Sequence, residues 1–129
     1  MKHFTVAEAE ALIPELEKIF AAARELASKA QEKAHHLRDM ENKGEGAAAM
    51  AIGRSQLQFL ANGVNEWLRK IEDLGGQAKG LSPALVDFPH RLNGRDVYLC
   101  WQLGDKKIGF YHPVEEGFAG RKPLPSKKP

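Results

Sequence analysis

The sequence contains a single cysteine, so the chain cannot form an internal disulfide. It also lacks any apolar run near the roughly 18 residues that a membrane span needs. The opening M-K-H-F-T carries no secretory signal and leads directly into a charged helical pattern. These absences predict a cytoplasmic protein in a reducing compartment, with no membrane partner.

A strong excess of one charge is missing as well, because the formal net charge is +2 at pH 7. Residues 1–76 hold ten Lys and Arg against twelve Asp and Glu, whereas residues 77–129 hold nine against five. Part of this C-terminal excess lies in K-P-L-P-S-K-K-P, which lacks the aromatic residues of nucleic-acid-binding segments. We therefore expect residues 122–129 to form a flexible basic tail, and we do not expect a nucleic-acid partner.

The first half of the chain has the spacing of amphipathic helices. Thr5 and Glu8 form a predicted capping box, and apolar residues recur at intervals of three and four as far as Asn42. Pro14 lies beyond the first turn, so we expect a kink or a short irregular turn near it rather than two separate helices. The sequence predicts one long first helix.

A second helix is predicted from Ala47 to Leu74, after the break N-K-G-E-G and before the stop at Gly75-Gly76. A short loop between two long helices predicts an antiparallel hairpin over residues 5–75. One hairpin leaves apolar surface uncovered, and alanines such as Ala27 and Ala30 allow close approach. We therefore expect a homodimer in which two hairpins form a four-helix bundle, and the alternative is a monomer whose distal hairpin tip frays.

After Gly76 the pattern changes to that of strands. Residues 85–88 read as a short strand that Pro89 should limit, and Asn93-Gly94 is a strong hairpin signal. Further strands are predicted over residues 96–103 and 108–112. The expected fold is α+β: one domain, 1–129, with a long antiparallel helical hairpin, then a small three-stranded antiparallel meander and closing loop over 84–121.

At the meander the sequence resembles a bacterial and archaeal family, the domain of unknown function 2203. The resemblance covers nearly the whole chain and rests on F-T-V-A-E-A-E-A-L-I-P-E-L, L-V-D-F-P, G-R-D-V-Y-L-C-W, I-G-F-Y-H and G-F-A-G-R-K-P-L. It implies no activity. The positions that match the family's characteristic residues are Asp87, Phe88, Pro89, Gly94, Cys100, Trp101, His112, Gly117, Phe118, Gly120 and Arg121. Departures from the pattern occur at Ala84, Asp105, Tyr111 and Pro113.

Asp87 stands out because it lies between Val86 and Phe88 in an apolar strand, where its charge needs either water or a partner. Arg121 and His112 are the candidate counterions. One interpretation is a structural Asp87–Arg121 bridge that fastens the closing loop to the sheet. The alternatives are a ligand-binding or catalytic carboxylate, with His112 and Glu115 as further catalytic candidates, and a solvated edge residue.

Metal binding has little support in the sequence. His112 and Glu115 offer nitrogen and oxygen ligands, but no tight spacing motif such as H-E-x-x-H accompanies them. Glu32 and His35 have the spacing of di-metal helical bundles, yet the second helix has no matching pair. We therefore predict no metal and no cofactor.

Aromatic and anion-binding residues complete the set of candidates. Trp101 and Tyr111 could form a platform for a carbohydrate, although aromatics in a small sheet are usually core. Arg121 in G-F-A-G-R suits an anion, and Asp105 is a further ligand-binding candidate. Cys100 is expected to be a buried packing residue rather than a nucleophile.

Two functions remain open from the sequence. The first is a dimeric binding module that presents the meander to a protein or a small anionic ligand. The second is a small hydrolase, glycosidase-like, with two carboxylates from Asp87, Asp105, Glu115 and Glu116, with or without a metal. A concave pocket that holds Asp87, His112 and a second carboxylate would favour the hydrolase, whereas a closed Asp87–Arg121 bridge would favour the module.

Overall fold

A computed structural model of the protein describes residues 2–125. The elements follow the order α1, α2, α3, β1 to β5, with a short 3-10 helix between β4 and β5. Their bounds are α1 Val6–Glu10, α2 Ile13–Asn42, α3 Ala47–Asp73, β1 Gln77–Leu81, β2 Ala84–Leu92, β3 Arg95–Gln102, β4 Phe110–Pro113, the 3-10 helix Phe118–Gly120 and β5 Lys122–Pro123. The predicted α+β class, with a helical hairpin followed by an antiparallel meander, is confirmed.

The helical start confirms one prediction and corrects another. Thr5 accepts a hydrogen bond from the Glu8 amide, and the Glu8 carboxylate accepts one from the Thr5 amide, so the capping box is present. The prediction of a single long first helix was wrong, because a turn at Ala11 and Leu12 separates α1 from α2. Pro14 thereby falls in the first turn of α2, where a backbone N–H has no intrahelical partner to lose.

The end of α3 explains the paired glycines. The Gly76 amide donates to the Ile71 carbonyl at 3.0 Å, and the Gly75 amide donates to the Glu72 carbonyl at 2.9 Å. These two bonds form a Schellman motif, which needs a left-handed residue just after the helix. Gly75 supplies it with φ +100°.

Replacing Gly75 by alanine is expected to destabilise the protein by more than about 2 kcal/mol. The left-handed conformation alone costs about 1–2 kcal/mol for an L-residue. A Cβ at this position would also lie 2.7 Å from Cζ of the buried Phe4 ring. Gly44→Ala is the matched control, since Gly44 has φ +71° but open space around it. Urea unfolding of both variants separates the two costs, and an equal loss at both positions would contradict the clash.

Two groupings of residues are compact in themselves. The first, which we call the sheet unit, comprises described residues 2–18 and 71–125, and the second, the hairpin unit, comprises residues 19–70. None of the described helices is both long and apolar enough to cross a membrane.

The sheet has five strands in the sequential order β1-β2-β3-β4-β5, all pairs antiparallel, rather than the three predicted. Strand β1 escaped prediction because Q-A-K-G-L has none of the β-branched or aromatic residues that favour strands. Strand β5 is only two residues long and occupies the start of the predicted tail. The rest of that tail, residues 126–129, lies outside the described residues.

The sequence predicted that Pro89 would limit its strand. The structure corrects this, because β2 continues to Leu92. The pairing of β1 with β2 stops at Gln77 and Asp87, two residues before the proline. Beyond that point the Phe4 amide donates to the Pro89 carbonyl at 2.7 Å. Since the nitrogen and carbonyl of one strand residue face the same edge, the missing N–H of Pro89 removes no ladder bond.

One face of the sheet, the core face, carries Val86, Phe88, Leu99 and Trp101, all fully buried. Val86 pairs with Trp101 and Phe88 with Leu99, so these side chains point the same way. The Phe4 ring meets the Phe88 ring edge-on, with 5.0 Å between centroids. The core of the sheet unit therefore lies on this face.

Within the hairpin unit, α2 and α3 run antiparallel. Leu37, near the end of α2, lies against Gly53, near the start of α3. Leu26, earlier in α2, lies against Gly63, later in α3. Lys33 donates to the Gln56 side chain at 2.7 Å between these contacts. The glycines allow the helices to approach closely, because a Cβ at either position would meet a leucine side chain. The predicted helical hairpin is confirmed.

Candidate functional site

The candidate site lies on the other side of the sheet, which we call the outer face. The Asn93-Gly94 turn, with φ +51° and +79°, sets the register of β2 against β3 so that Asp87 pairs with Cys100. Strand β4 continues the pattern, with Phe110 opposite Cys100 and His112 opposite Tyr98. Alternation along the strands therefore gathers these polar and aromatic side chains on one surface.

Asp87 and His112 form a buried pair at the centre of the outer face. Asp87 Oδ2 lies 3.0 Å from His112 Nε2, and the two residues are only 4% and 3% exposed. The second ring nitrogen, Nδ1, lies 2.9 Å from the Pro113 carbonyl oxygen. Both nitrogens of His112 are thus engaged within the protein.

The hydrogen-bond partners of His112 fix the position of one of its ring protons. A carbonyl oxygen only accepts, so Nδ1 must carry a proton to bond with Pro113. The remaining proton lies on the link between Nε2 and the Asp87 carboxyl, either on the ring or on the acid. Burial raises the pKa of the Asp87 carboxyl above its ordinary value, whereas the charges of His112 and Lys79 act in the opposite direction.

Arg121 does not bridge to Asp87, which corrects the structural interpretation drawn from the sequence. Among the described residues, Asp87 has His112 as its ion-pair partner. The Arg121 guanidinium is instead held between two rings, with its central carbon 4.2 Å from the Phe110 centroid and 4.4 Å from that of Phe118. Its Nη1 is buried and has no hydrogen-bond partner among the described residues.

Cys100 is a packing residue on the outer face, 1% exposed. Burial raises the pKa of its thiol to about 11, with a smaller contribution in the same direction from Asp87 and an opposing one from Arg121. At neutral pH the group is therefore a thiol rather than a reactive thiolate. The expectation of a buried, unreactive cysteine agrees with this arrangement.

A cavity of about 310 Å³ opens beside the Asp87–His112 pair. The strands contribute Lys79, Leu85 and Tyr98 to its lining, and the segment after β4 contributes Val114, Glu116 and Phe118. Gln77 donates a hydrogen bond to the Tyr98 hydroxyl at 3.4 Å. The cavity therefore combines an apolar wall with one cation, Lys79, and one carboxylate, Glu116, around the buried pair.

Five predicted site residues do not line this cavity, and Arg121, whose guanidinium lies between Phe110 and Phe118, is one of them. Trp101 is fully buried on the core face, where its Nε1 donates to the Asp105 carbonyl at 3.0 Å, so it offers no platform to a ligand. The Asp105 carboxylate accepts from the Gln102 amide and stabilises the turn. Tyr111 and Glu115 line a separate depression of about 560 Å³. The aromatic platform and the His112–Glu115 pairing are therefore not assembled.

The described part of the chain holds no cluster of three or more His, Cys, Asp or Glu side chains that could bind a metal ion. His112 has both ring nitrogens engaged, so it could ligate a metal only by giving up one of these bonds. Glu115 is exposed and does not line the cavity at His112. The donor groups do not fit a metal site here.

Sequence reasoning missed Lys79 and Tyr98. Tyr98 could have been found, because the Asn93-Gly94 turn sets the β2–β3 register and alternation then places Tyr98 with Cys100 and Asp87. Lys79 had no such signal, since its strand was not predicted.

Residues 2–124 match the family described as "Uncharacterized conserved protein (DUF2203)". Comparison with curated proteins found no match. Comparison with solved structures found none either.

Proposed function

We propose that this chain, which belongs to the DUF2203 family of uncharacterized conserved proteins, is a dimeric binding module whose outer face accommodates a small anionic ligand. The observation that carries the proposal is the Arg121 guanidinium, whose buried Nη1 has no hydrogen-bond partner within residues 2–125. An unsatisfied buried donor on a charged group is costly, and an anion that approached it would relieve that cost.

The charge balance of the outer face supports an anion. Asp87 is already compensated by His112 at 3.0 Å. Lys79 and Arg121 have no carboxylate within ion-pair distance among the described residues, and Lys79 lines the cavity. The aromatic rings of Phe110 and Phe118 hold the guanidinium plane in place, so little side-chain freedom is lost when a ligand binds.

The alternative function, a small hydrolase, has weaker support than the binding module. The cavity does contain Asp87, His112 and a second carboxylate, Glu116, which is the arrangement that a small hydrolase requires. A carboxylate or a histidine can act as general base, but either needs an atom that reaches the substrate, and Asp87 is 4% exposed and bonded to His112. Both nitrogens of His112 bond to the protein instead. A carbohydrate ligand also loses support, because Trp101 is buried on the opposite face.

The dimer and the location belong to the same proposal. We propose that two copies associate through their helices as a four-helix bundle, because the hairpin unit contains only two helices to cover each other. A cytoplasmic location suits a chain whose one cysteine is a buried thiol.

Calorimetric titration with inorganic phosphate, sulfate and acetate tests the anion site. At least one of these anions is expected to bind the wild type, and Arg121→Gln is expected to weaken that binding about 10–100-fold, since a charge-assisted hydrogen bond contributes about 1.5–3 kcal/mol. Arg91→Gln is the matched control, because Arg91 is exposed and bonds Asp96 outside the cavity.

Equal binding by Arg121→Gln and wild type would contradict the anion site, as would the absence of binding by all three anions. Turnover of an ester or glycoside panel that is lost in Glu116→Gln would favour the hydrolase instead. Far-UV circular dichroism of each variant checks that the fold is retained.

A further inference from the structure

The hairpin unit carries an apolar groove between α2 and α3. Both helices contribute to it at intervals of three and four residues, the spacing of a helix-packing seam. Its apolar lining consists of Ala27, Ala30 and Ala34 from α2 and Leu57, Ala61 and Val64 from α3. All six side chains are partly exposed in the single chain.

We propose that this groove is the interface with a second copy of the same chain. The inference rests on the dimeric form of the proposed function and identifies the surface that serves it. The apolar side chains that α2 contributes to the groove are all alanines, so that wall is small, whereas α3 contributes the larger Leu57 and Val64. A two-fold arrangement places the larger wall of each copy over the small wall of the other, so the surface is complementary to itself.

The polar residues in the groove also suit a second copy. Gln31 and Asn65 complete the lining, and none of the lining residues is charged. A homodimer brings each interface charge near its own symmetry mate, where like charges repel. An uncharged lining avoids this cost. Amide side chains at the edge can instead bond to each other, because each has both a donor and an acceptor.

The available area is adequate for a dimer. Residues 19–42 of α2 span about 36 Å, and two adjacent helices are about 20 Å wide, so one face of the hairpin offers about 700 Å². This is close to the roughly 800 Å² per partner of a standard stable interface. A second apolar patch lies about 200° around α3 from Leu57, where Ile52 and Phe59 are 62% and 77% exposed, and the test below distinguishes it from the groove.

Light scattering of the full chain at micromolar concentration tests the interface. The wild type is expected at twice the chain mass of 14.3 kDa. Ala30→Glu is expected to give a mass near 14.3 kDa, because it places a charge in the groove of each copy. Ala21→Glu is the matched control, since it makes the same substitution on the exposed side of α2 and should leave the dimer intact.

A monomeric wild type would overturn the inference. So would an Ala30→Glu variant that stays dimeric, or a dimer that is dissociated by Phe59→Glu and not by Ala30→Glu, since Phe59 lies outside the groove. Circular dichroism confirms that each variant remains helical. Light scattering measures only the mass of the particle, whereas the calorimetric titration measures only anion binding. The two experiments therefore distinguish failure of the dimer from failure of the ligand site.

Discussion

Replacing Asp87 by alanine is expected to lower the free energy of unfolding by about 3–5 kcal/mol, because it leaves one partner of a buried ion pair uncompensated. Asp87 and His112 are only 4% and 3% exposed, so the loss of the carboxylate leaves a buried imidazole N–H without its partner. Urea unfolding at pH 7 measures the loss. A change of less than about 1 kcal/mol would show that the pair contributes little to the folded state.

The chain offers a matched control for this prediction. Asp96 lies 3.1 Å from His3 Nε2, nearly the distance of the buried pair, but its side chain is 55% exposed. Asp96→Ala is therefore expected to cost no more than about 1 kcal/mol, as exposed ion pairs do. Asp87→Asn is a second variant, since its amide can donate to a neutral His112 Nε2 and should recover part of the loss.

The pH dependence of the Asp87 contribution follows from its raised pKa. Burial is the main cause of the increase in the pKa of Asp87. At a pH above 3.8, the folded state therefore holds the carboxyl proton more tightly than the unfolded state does. The proton-linked part of this contribution is fully present below pH 3.8 and is lost as the pH rises through the folded pKa, whereas the hydrogen bond between Asp87 and His112 remains at pH 7. We therefore expect wild type to lose stability relative to Asp87→Asn from about pH 4 toward neutrality.

Truncation of Trp101 to alanine is the second large effect, with an expected loss of about 3–5 kcal/mol. Its ring is fully buried on the core face, and the Nε1 hydrogen bond to the Asp105 carbonyl is lost with it. The stability of Trp101→Ala distinguishes a ligand platform from a core residue. A ligand platform would lose affinity while stability stayed nearly constant, whereas a core residue loses stability whether or not a ligand is present.

Trp67→Ala is the control, because Trp67 is only half-buried on α3 and its ring lies under Lys70, at 5.2 Å from the ammonium. We expect this truncation to cost less than about 2 kcal/mol, since part of the ring already contacts water. Thermal and urea unfolding of both variants provide the comparison. A smaller loss at Trp101 than at Trp67 would contradict its position in the core.

Local signals in the sequence predicted much of the architecture. The Thr5–Glu8 capping box, the stop at Gly75 and the Asn93-Gly94 turn each depend on residues within a few positions, and all are present. Local signals also failed in definable ways. Strand β1 has a weak composition that pairing with β2 overrides, and Pro89 is tolerated because β1 ends before it.

The sequence by itself determined the two long helices and the antiparallel meander, because periodicity and a tight turn act over short distances. Only the tertiary structure decided which partner Asp87 takes. Its choice of His112 over Arg121 depends on the register of β4 and on the Phe110 and Phe118 rings that hold the guanidinium. The Asp87–His112 contact joins residues 25 positions apart, where packing rather than local preference sets the geometry.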